Sequence, residues 1–204
     1  TGSRSAGLTL KTAADQVGKP IYLELSSVNP VVILPGALRE RLDDLVQQFT
    51  GSCLMGTGQF CTNPGLVVLV AGAECEAYIA KVAEAFGKAP VGTLLSRGVE
   101  SSLVRGIATL TSAGATVVAG HAPGTGAGYC YANTLLRVSG ARFLQQPEQL
   151  QAEAFGNASL LVVSDDLAQA AAVLERLEGN LTGCIYSDTG GADDEAYDRL
   201  AARL

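Results

Sequence analysis

A chain of 204 residues is long enough to bury roughly 70% of its unfolded surface around one core, so it needs neither disulfides nor a structural metal to fold. The net charge of −6, without a dense cluster of lysine or arginine, disfavours nucleic acid and anionic membranes as partners. The five cysteines lack the close, regular spacing of a disulfide framework. We therefore expect free thiols and a cytoplasmic location. No membrane span is expected, because the longest apolar runs are far shorter than the roughly 18 residues that a span requires.

The spacing of apolar residues predicts alternating helices and strands along the chain. In order, these are a helix over 6–17, strands over 22–25 and 31–34, a helix over 38–49, a strand from Leu66, helices over 74–86 and 96–113, strands over 116–118, 134–138 and 160–163, a helix over 167–177, a strand over 183–186 and a helix over 194–203. Continuous apolar strands separated by amphipathic helices are typical of an α/β fold with a largely parallel open sheet and helices on both faces.

Residues 56–65, GTGQFCTNPG, place Cys61 among glycines directly before an apolar strand. A thiol becomes a useful nucleophile when backbone N–H groups, a helix end or a cation stabilises its thiolate and a reacting carbon can approach it. Gly56, Gly58 and Gly65 are expected to leave room around the sulfur. The same pattern also suits a small buried cysteine, and the local sequence leaves both interpretations open.

Glu24 lies within an otherwise apolar run, residues 21–25. A carboxylate buried there without a partner would have a raised pKa, which suits a general base near neutral pH. Alternatively, the strand alternates and Glu24 faces solvent, which is the favoured interpretation when this residue is considered alone.

Two further features carry weaker indications. His121, the only histidine, could pair with Cys61, although an isolated loop histidine is more often a surface residue. With one imidazole and no cysteines separated by two to four residues, no metal site is expected. Residues 2–7, GSRSAG, precede a helix and could present backbone N–H groups to a phosphate, although an ordinary helix start explains them more simply.

Several short groups of residues become more informative when they are considered together. They are Thr1-Gly2-Ser3 with Gly7, Leu23-Glu24-Leu25 with Asn29-Pro30, Gly58-Gln59-Phe60-Cys61, and Glu153-Ala154-Phe155-Gly156. Their order and approximate spacing resemble the aldehyde dehydrogenase superfamily over essentially the whole chain. The segments LSSVNP and GTGQFCTNPG are most similar to the NADP-linked branch that oxidises α-ketoglutaric semialdehyde (2,5-dioxopentanoate).

The resemblance implies a role for each of these residues. Cys61 would be the catalytic nucleophile, adding to the aldehyde carbonyl to form a thiohemiacetal whose oxyanion is held partly by the Cys61 backbone N–H. Glu24 would activate the water that hydrolyses the resulting thioester. The cofactor-binding residues would be Glu153 on the nicotinamide ribose, Phe155 beside the nicotinamide ring, and Gly2, Ser3 and Gly7 at the turn beside the pyrophosphate.

The resemblance also implies two parts of unequal size. Residues 1–18 would be a remnant of a dinucleotide-binding domain, with its phosphate-side turn and helix, and residues 19–204 would be the catalytic domain. The implied function is oxidation of a small-molecule aldehyde to its carboxylate with NADP or NAD, the choice between the two being left open. A fragment of this kind is expected to be inactive and not to retain its cofactor, and the full-length protein is expected to form a homo-oligomer.

Two other functions stay open at this point. Cys61 and His121 could form the pair of a Cys-His hydrolase or acyltransferase, or the chain could be a non-catalytic folded fragment that serves as a binding module.

The chain also departs from most of the family at Ser26-Ser27, since a glycine pair usually follows the Glu24 position. This departure weakens detailed statements about nicotinamide contacts.

Overall fold

The computed structural model describes residues 1–204 and contains one six-stranded sheet. Its strands, in chain order, are β1 (Val31–Ile33), β2 (Leu66–Val70), β3 (Thr116–Ala119), β4 (Thr134–Ser139), β5 (Ala158–Ser164) and β6 (Cys184–Tyr186). They lie side by side in the order β3-β4-β5-β2-β1-β6, and only β3 runs antiparallel to its neighbour. The predicted open, largely parallel sheet is therefore confirmed.

Helices cover both faces of the sheet. They are α1 (Arg4–Gln16), α2 (Pro35–Leu54), α3 (Ala73–Lys88), α4 (Arg97–Ser112), α5 (Gly140–Gln145), α6 (Pro147–Leu150), α7 (Leu167–Leu174) and α8 (Asp194–Ala201). α2 and α3 pack on one face, and α4, α5, α7 and α8 pack on the other. No helix combines the length and the apolar character that crossing a membrane would require.

Two apolar cores result, because neighbouring residues of a strand point to opposite faces of the sheet. In β2, Val67 and Leu69 belong to the core beneath α2 and α3, whereas Leu66 and Val68 belong to the opposite core. All of these side chains are almost fully buried. The strand is therefore an unbroken apolar run, as expected for a strand covered on both faces.

The strand predicted over 22–25 is not part of the sheet. Exposure alternates along residues 21–26, but this segment before β1 pairs with no strand. A backbone hydrogen bond of 3.0 Å from the Gly2 N–H to the Glu24 carbonyl connects it to the start of α1 instead. The prediction was wrong because period-two alternation marks any extended segment with one covered side, whether or not it joins a ladder.

Two short helices, α5 and α6, lie outside the predicted elements. Ser139 caps α5 by accepting a hydrogen bond from the Arg142 N–H, and Pro147 opens α6. Each helix is too short to show a helical repeat of apolar residues, so periodicity did not reveal them.

α1 confirms the first predicted helix, but the apolar side chains around it are poorly covered. Leu8, Leu10 and Val17 are at least half exposed, and Gly7 is the only buried residue of the helix. A Cβ at Gly7 would overlap the Leu25 side chain, so the helix and the extended segment approach closely there. The helix therefore buries little apolar surface against the rest of the chain.

A buried carboxylate closes the start of α2. Asp193 is 3% exposed and accepts hydrogen bonds from the N–H groups of Gly36 and Ala37, each 2.8 Å, and of Asp188, 3.0 Å. The N–H groups of a helix's first turn have no partner within the helix and carry partial positive charge. Asp193 thus supplies both the acceptors and the opposite charge.

Replacing Asp193 by Ala is expected to lower the free energy of unfolding by about 2–3 kcal/mol, because buried N–H groups would be left without acceptors. Urea denaturation followed by circular dichroism measures this difference. Asp198→Ala is the matched control, because Asp198 is an exposed residue of α8 and its loss should change the free energy by less than about 0.5 kcal/mol. Equal effects of the two substitutions would contradict the capping role.

Candidate active site

The segments that precede β5, β2, β1 and β6 meet at one end of the sheet, where these strands begin. These strands are neighbours and run in the same direction, so the segments entering them lie together at their amino ends. The segment before β1 carries Glu24, the loop before β2 carries Cys61, and the loop before β5 carries Glu153 and Phe155. The topology therefore brings distant parts of the sequence into one neighbourhood.

An open cavity of about 430 Å³ lies at this end of the sheet. The predicted site residues Gly2, Ser3, Glu24, Cys61, Glu153 and Phe155 all line it. Its wall is completed by Thr1, Leu25, Ser26, Ser27, Ser96, Gly98, Val99, Ser102 and Leu181. Gly7 is the one predicted site residue that the structure does not bring to the cavity, because it packs against Leu25.

The start of α4 forms a side of the cavity that the sequence did not reveal. Ser96 caps this helix by accepting a hydrogen bond from the Val99 N–H, 3.3 Å, and Ser102 follows further along it. The signal available in the sequence was an N-cap serine, which marks the start of a helix but not a site.

Cys61 lies in a turn whose backbone is held from several sides. The Asn63 N–H donates to the Phe60 carbonyl, 3.1 Å, and closes the turn around the cysteine. The Gln59 side chain accepts from the Leu95 N–H, 2.8 Å, and so ties the turn to the segment before α4. Cys61 is exposed and faces the cavity. Its interpretation as a small buried residue is therefore wrong.

The glycines of the loop before β2 were expected to leave room around the Cys61 sulfur. Gly58 and Gly56 instead make room for a neighbouring main chain and for an aromatic ring. Gly58 has a positive φ of 67°, and a Cβ there would overlap the Gly156 carbonyl. Gly56, with a φ of 57°, faces the Phe60 ring. Left-handed backbone and close approach both favour glycine. Gly58 and Gly156 thus join this loop directly to the loop before β5.

Glu24 is exposed on the cavity and is not buried in a strand. Its carboxylate accepts a long hydrogen bond of 3.4 Å from the Thr1 hydroxyl. The interpretation in which the segment alternates and Glu24 faces outward is confirmed. A solvated carboxylate that shares a cavity with an exposed thiol has ready access to water.

Glu153 is half-buried, so its environment differs from that of Glu24. Burial raises the pKa of the Glu153 carboxyl, and the nearby Ser26 hydroxyl and Ser27 N–H oppose this increase only in part. The Ser26 hydroxyl also accepts from the Arg4 N–H, 3.3 Å, at the start of α1. Ser26 therefore lies between the start of α1 and the surroundings of the Glu153 carboxyl.

The other thiols do not line the cavity. Cys53, Cys75 and Cys130 are buried, and burial raises the pKa of Cys53 to about 12 and that of Cys75 to about 11. Cys184 is exposed on β6 at the sheet edge, where partial desolvation of its thiol raises its pKa. Cys61 is thus the thiol that the structure presents to the cavity.

His121 does not line the cavity either, and the structure forms no Cys61–His121 pair. Its Nδ1 lies 3.0 Å from the Tyr131 hydroxyl oxygen, in the loop between β3 and β4. The arrangement that a Cys-His hydrolase needs, in which the base lies within hydrogen-bond reach of the nucleophile, is not present.

Comparison with known proteins finds one family model and several similar sequences that match most of the chain. The model of the aldehyde dehydrogenase family matches residues 1–202. The whole chain is 40% identical to alpha-ketoglutaric semialdehyde dehydrogenase 2 of Azospirillum brasilense, of which it covers 38%. Over 92% of its length it is 33% identical to alpha-ketoglutaric semialdehyde dehydrogenase of Acinetobacter baylyi, of which it covers 36%.

A solved structure shows the same fold. Betaine aldehyde dehydrogenase from Staphylococcus aureus, crystallised in complex with NAD+, superposes with a TM-score of 0.81 at 17% identity. The match covers all of this chain and 41% of that one. The chain thus spans less than half the length of each of these relatives.

Gly58→Ala is expected to lower the free energy of unfolding by about 1–3 kcal/mol, because the new methyl group meets the Gly156 carbonyl and the positive φ disfavours alanine. Gly51→Ala is the matched control: Gly51 lies in α2 with open space around it, and alanine there should stabilise the helix by about 0.5–1 kcal/mol. Urea denaturation of both variants measures the difference. A neutral Gly58→Ala would rule out the close contact between the two loops.

The raised pKa of Glu153 gives its charge a predictable effect on stability. Folding favours the protonated form; this contribution is complete below the unfolded pKa, about 4.3, and is lost as pH rises through the higher folded pKa. Ionised Glu153 therefore opposes folding at neutral pH. Glu153→Gln should raise the free energy of unfolding at pH 7, and the gain should disappear toward pH 4.

Urea denaturation at both pH values, with the exposed Glu148→Gln as control, measures the effect of Glu153→Gln. The control should show little difference between the two pH values. A Glu153→Gln variant that is less stable than the wild type at pH 7 would mean that the carboxylate is held by a favourable partner instead.

Proposed function

Because the chain belongs to the aldehyde dehydrogenase family, we propose that it carries the catalytic groups of an NAD(P)-dependent aldehyde dehydrogenase. The proposed reaction converts an aldehyde, water and NAD(P)+ into a carboxylate, NAD(P)H and two protons. One observation carries the proposal: Cys61 and Glu24 line the same cavity, together with Glu153 and Phe155.

Cys61 is the nucleophile in this mechanism. Its thiolate adds to the aldehyde carbon, and the carbonyl oxygen becomes the oxyanion of a tetrahedral thiohemiacetal. We assign the Cys61 backbone N–H as a donor to that oxygen, since a donor placed where charge develops lowers the barrier. A bound NAD(P)+ would supply the acceptor for a hydride, and loss of that hydride from the thiohemiacetal carbon would leave a thioester on Cys61.

Glu24 is the general base for hydrolysis of the thioester. It takes a proton from water as the water oxygen attacks the thioester carbonyl, and the carbon–sulfur bond then breaks to release the carboxylate and the Cys61 thiolate. The exposed position of Glu24 on the cavity supports this role, because water reaches the carboxylate there.

The cavity residues at the start of α1 and in the loop before β5 suit parts of the cofactor. Nothing lies within 4 Å of the place where a Gly2 side chain would be, so a phosphate can approach the backbone there. The Glu153 carboxyl can accept hydrogen bonds from ribose hydroxyls, and Phe155 offers apolar surface on the same cavity. We therefore assign Gly2, Ser3, Glu153 and Phe155 to the cofactor, whereas Gly7 acts by letting α1 approach the extended segment.

These assignments divide the chain as its sequence suggested. Residues 1–18 contribute to the binding of the dinucleotide phosphates, and residues 19–204 form the catalytic domain. Because the chain covers 38% of the first relative, activity is best measured on the protein as its gene encodes it. We expect residues 1–204 alone to oxidise aldehyde weakly and to bind NAD(P) weakly, because much of the rate comes from positioning both reactants.

The substrate that we propose is α-ketoglutaric semialdehyde, the compound after which both curated relatives are named. Residues with hydroxyl side chains line the cavity on several sides: Thr1, Ser3, Ser26, Ser96 and Ser102. Convergent polar groups fix the orientation of a ligand in such a pocket. These side chains can hydrogen-bond the carbonyl and carboxylate oxygens of this aldehyde.

Substitutions at Cys61 and Glu24 are expected to block different steps. Cys61→Ser should abolish NAD(P)H formation, because no thiohemiacetal forms. Glu24→Gln should still give a rapid burst of NAD(P)H near one equivalent per site, followed by turnover slowed about 100-fold or more, because the thioester accumulates. Stopped-flow absorbance at 340 nm and intact-protein mass spectrometry measure the burst and the acyl adduct.

His121→Ala serves as the control for these variants and should keep both the burst and the turnover. Steady oxidation by Cys61→Ser would remove the proposed nucleophile. Loss of all activity in His121→Ala, with hydrolysis of an activated ester in the wild type, would favour the Cys-His alternative.

A further inference from the structure

The side chain of Asn29 lies where the segment carrying Glu24 meets the loop carrying Cys61. It is 2% exposed, and its amide nitrogen donates to the carbonyls of Cys61 and Asn63, each 2.9 Å. Its Oδ1 accepts from the Ser27 hydroxyl, 2.8 Å. Both the nitrogen and the oxygen of this buried amide therefore form hydrogen bonds, and the nitrogen bonds to the loop that carries Cys61.

The orientation of this amide is fixed by its neighbours. Thr182 directs its N–H and its hydroxyl at the Asn29 Oδ1, each 3.3 Å. Exchanging the amide nitrogen and oxygen would turn the oxygen toward the carbonyls of Cys61 and Asn63 and would lose those hydrogen bonds. The network therefore determines which end of the amide meets the Cys61 loop.

The backbone of Asn29 is constrained as well. Its φ of 47° lies in the left-handed region, which asparagine adopts more readily than most residues. The Asn180 Oδ1 accepts from the N–H groups of Asn29, 3.1 Å, and Val28, 2.8 Å. The amide thus projects from a backbone that is itself held in place.

Asn29 does not line the cavity. Its contact with the residue that carries the thiol is the hydrogen bond to the Cys61 main-chain carbonyl. No other hydrogen bond reaches the Cys61 carbonyl. A second link between the two segments, from the Gly65 N–H to the Val28 carbonyl, 2.9 Å, lies further along the loop, next to β2. Asn29 is therefore the connection at the cysteine itself.

We propose that Asn29 is a positioning residue for aldehyde oxidation, which acts through the Cys61 carbonyl to hold the thiol in place relative to Glu24. This inference rests on the function proposed above. A misplacement of about 1 Å at a reacting group can cost about 100-fold in rate. Loss of the Asn29 amide should therefore slow the reaction of Cys61 more than it weakens substrate binding.

Two substitutions remove the amide donors in different ways. Asn29→Asp keeps the size and the acceptor of the side chain but turns an oxygen toward the carbonyls of Cys61 and Asn63. Asn29→Gly removes the side chain and leaves a residue that adopts a positive φ freely. The second variant covers the case in which the buried aspartate disturbs folding.

Asn133 offers a matched control for both variants. It is 4% exposed, and its amide nitrogen donates to the carbonyls of Phe86, 3.3 Å, and Ala89, 3.1 Å, while its Oδ1 accepts from Asn157, 2.8 Å. Its buried amide thus makes the same kinds of contact, but with the end of α3 in place of the Cys61 loop. Asn133→Asp and Asn133→Gly therefore report the cost of losing a buried amide elsewhere.

Each variant is compared by three measurements. Thermal melting reports stability. Timed alkylation of the 204-residue chain with iodoacetamide between pH 6 and 9, followed by peptide mass spectrometry, reports the rate at Cys61 and, as an internal standard, at the exposed Cys184. The kcat and KM for α-ketoglutaric semialdehyde are measured with NADP+ and NAD+ in the protein as its gene encodes it.

The expected result separates the two asparagines. The Asn29 variants should lose about tenfold or more in the limiting alkylation rate at Cys61, and about 10- to 100-fold in kcat with KM changed less than about threefold. The Asn133 variants should melt at a similarly lowered temperature but keep both rates.

Other outcomes would overturn the inference. Asn29→Gly with wild-type alkylation and kcat would show that the amide serves stability alone, and so would an unfolded Asn29→Gly beside a folded Asn133→Gly. Failure of the proposed function has a different signature. In that case Cys61 of the wild type would react no faster than Cys184 and no aldehyde would be oxidised, whatever stands at position 29.

Discussion

The candidate active site depends on hydrogen bonds made by buried side-chain amides at the amino ends of the strands. The ladder of backbone hydrogen bonds ends where the strands begin, so buried carbonyls and N–H groups of the entering loops need other partners. The Asn29 and Asn63 side chains supply them, the latter by donating to the Gly156 carbonyl at 3.2 Å. An amide offers both a donor and acceptors without a charge to desolvate, which suits it to this buried position.

The rest of the fold makes this end of the sheet stable enough to carry exposed chemical groups. Side chains of β2 and β5 are packed in an apolar core on each face of the sheet, so the loops that lead into these strands end at fixed points. On that base, the two carboxylates of the cavity stand in different environments: Glu24 is exposed, whereas half-burial raises the pKa of Glu153. Different environments allow two residues of similar chemistry to take different roles, one toward water and the other toward a ligand hydroxyl.

The sequence predicted the sheet, the long helices and most of the cavity, because each is marked by a pattern that survives without tertiary information. Unbroken apolar runs such as 66–70 mark strands covered on both sides, and a motif such as GQFC marks a loop by its glycine and its thiol. The alternation of residues 21–26 indicated the exposure of Glu24, but the loop contact of Gly58 was beyond reach, since it depends on a partner distant in sequence. The role of Asn29 was hidden for the same reason: its partners are main-chain carbonyls, which every residue has.

The contact between Gly58 and Gly156 also has a consequence for altering this chain. A Cβ at Gly58 would overlap the Gly156 carbonyl, so the main chain of the loop before β5 fits directly against Gly58. A grafted loop that placed a side chain at position 58 would collide with the unaltered main chain at Gly156. Exchange of either loop should therefore transplant 56–65 and 153–157 together.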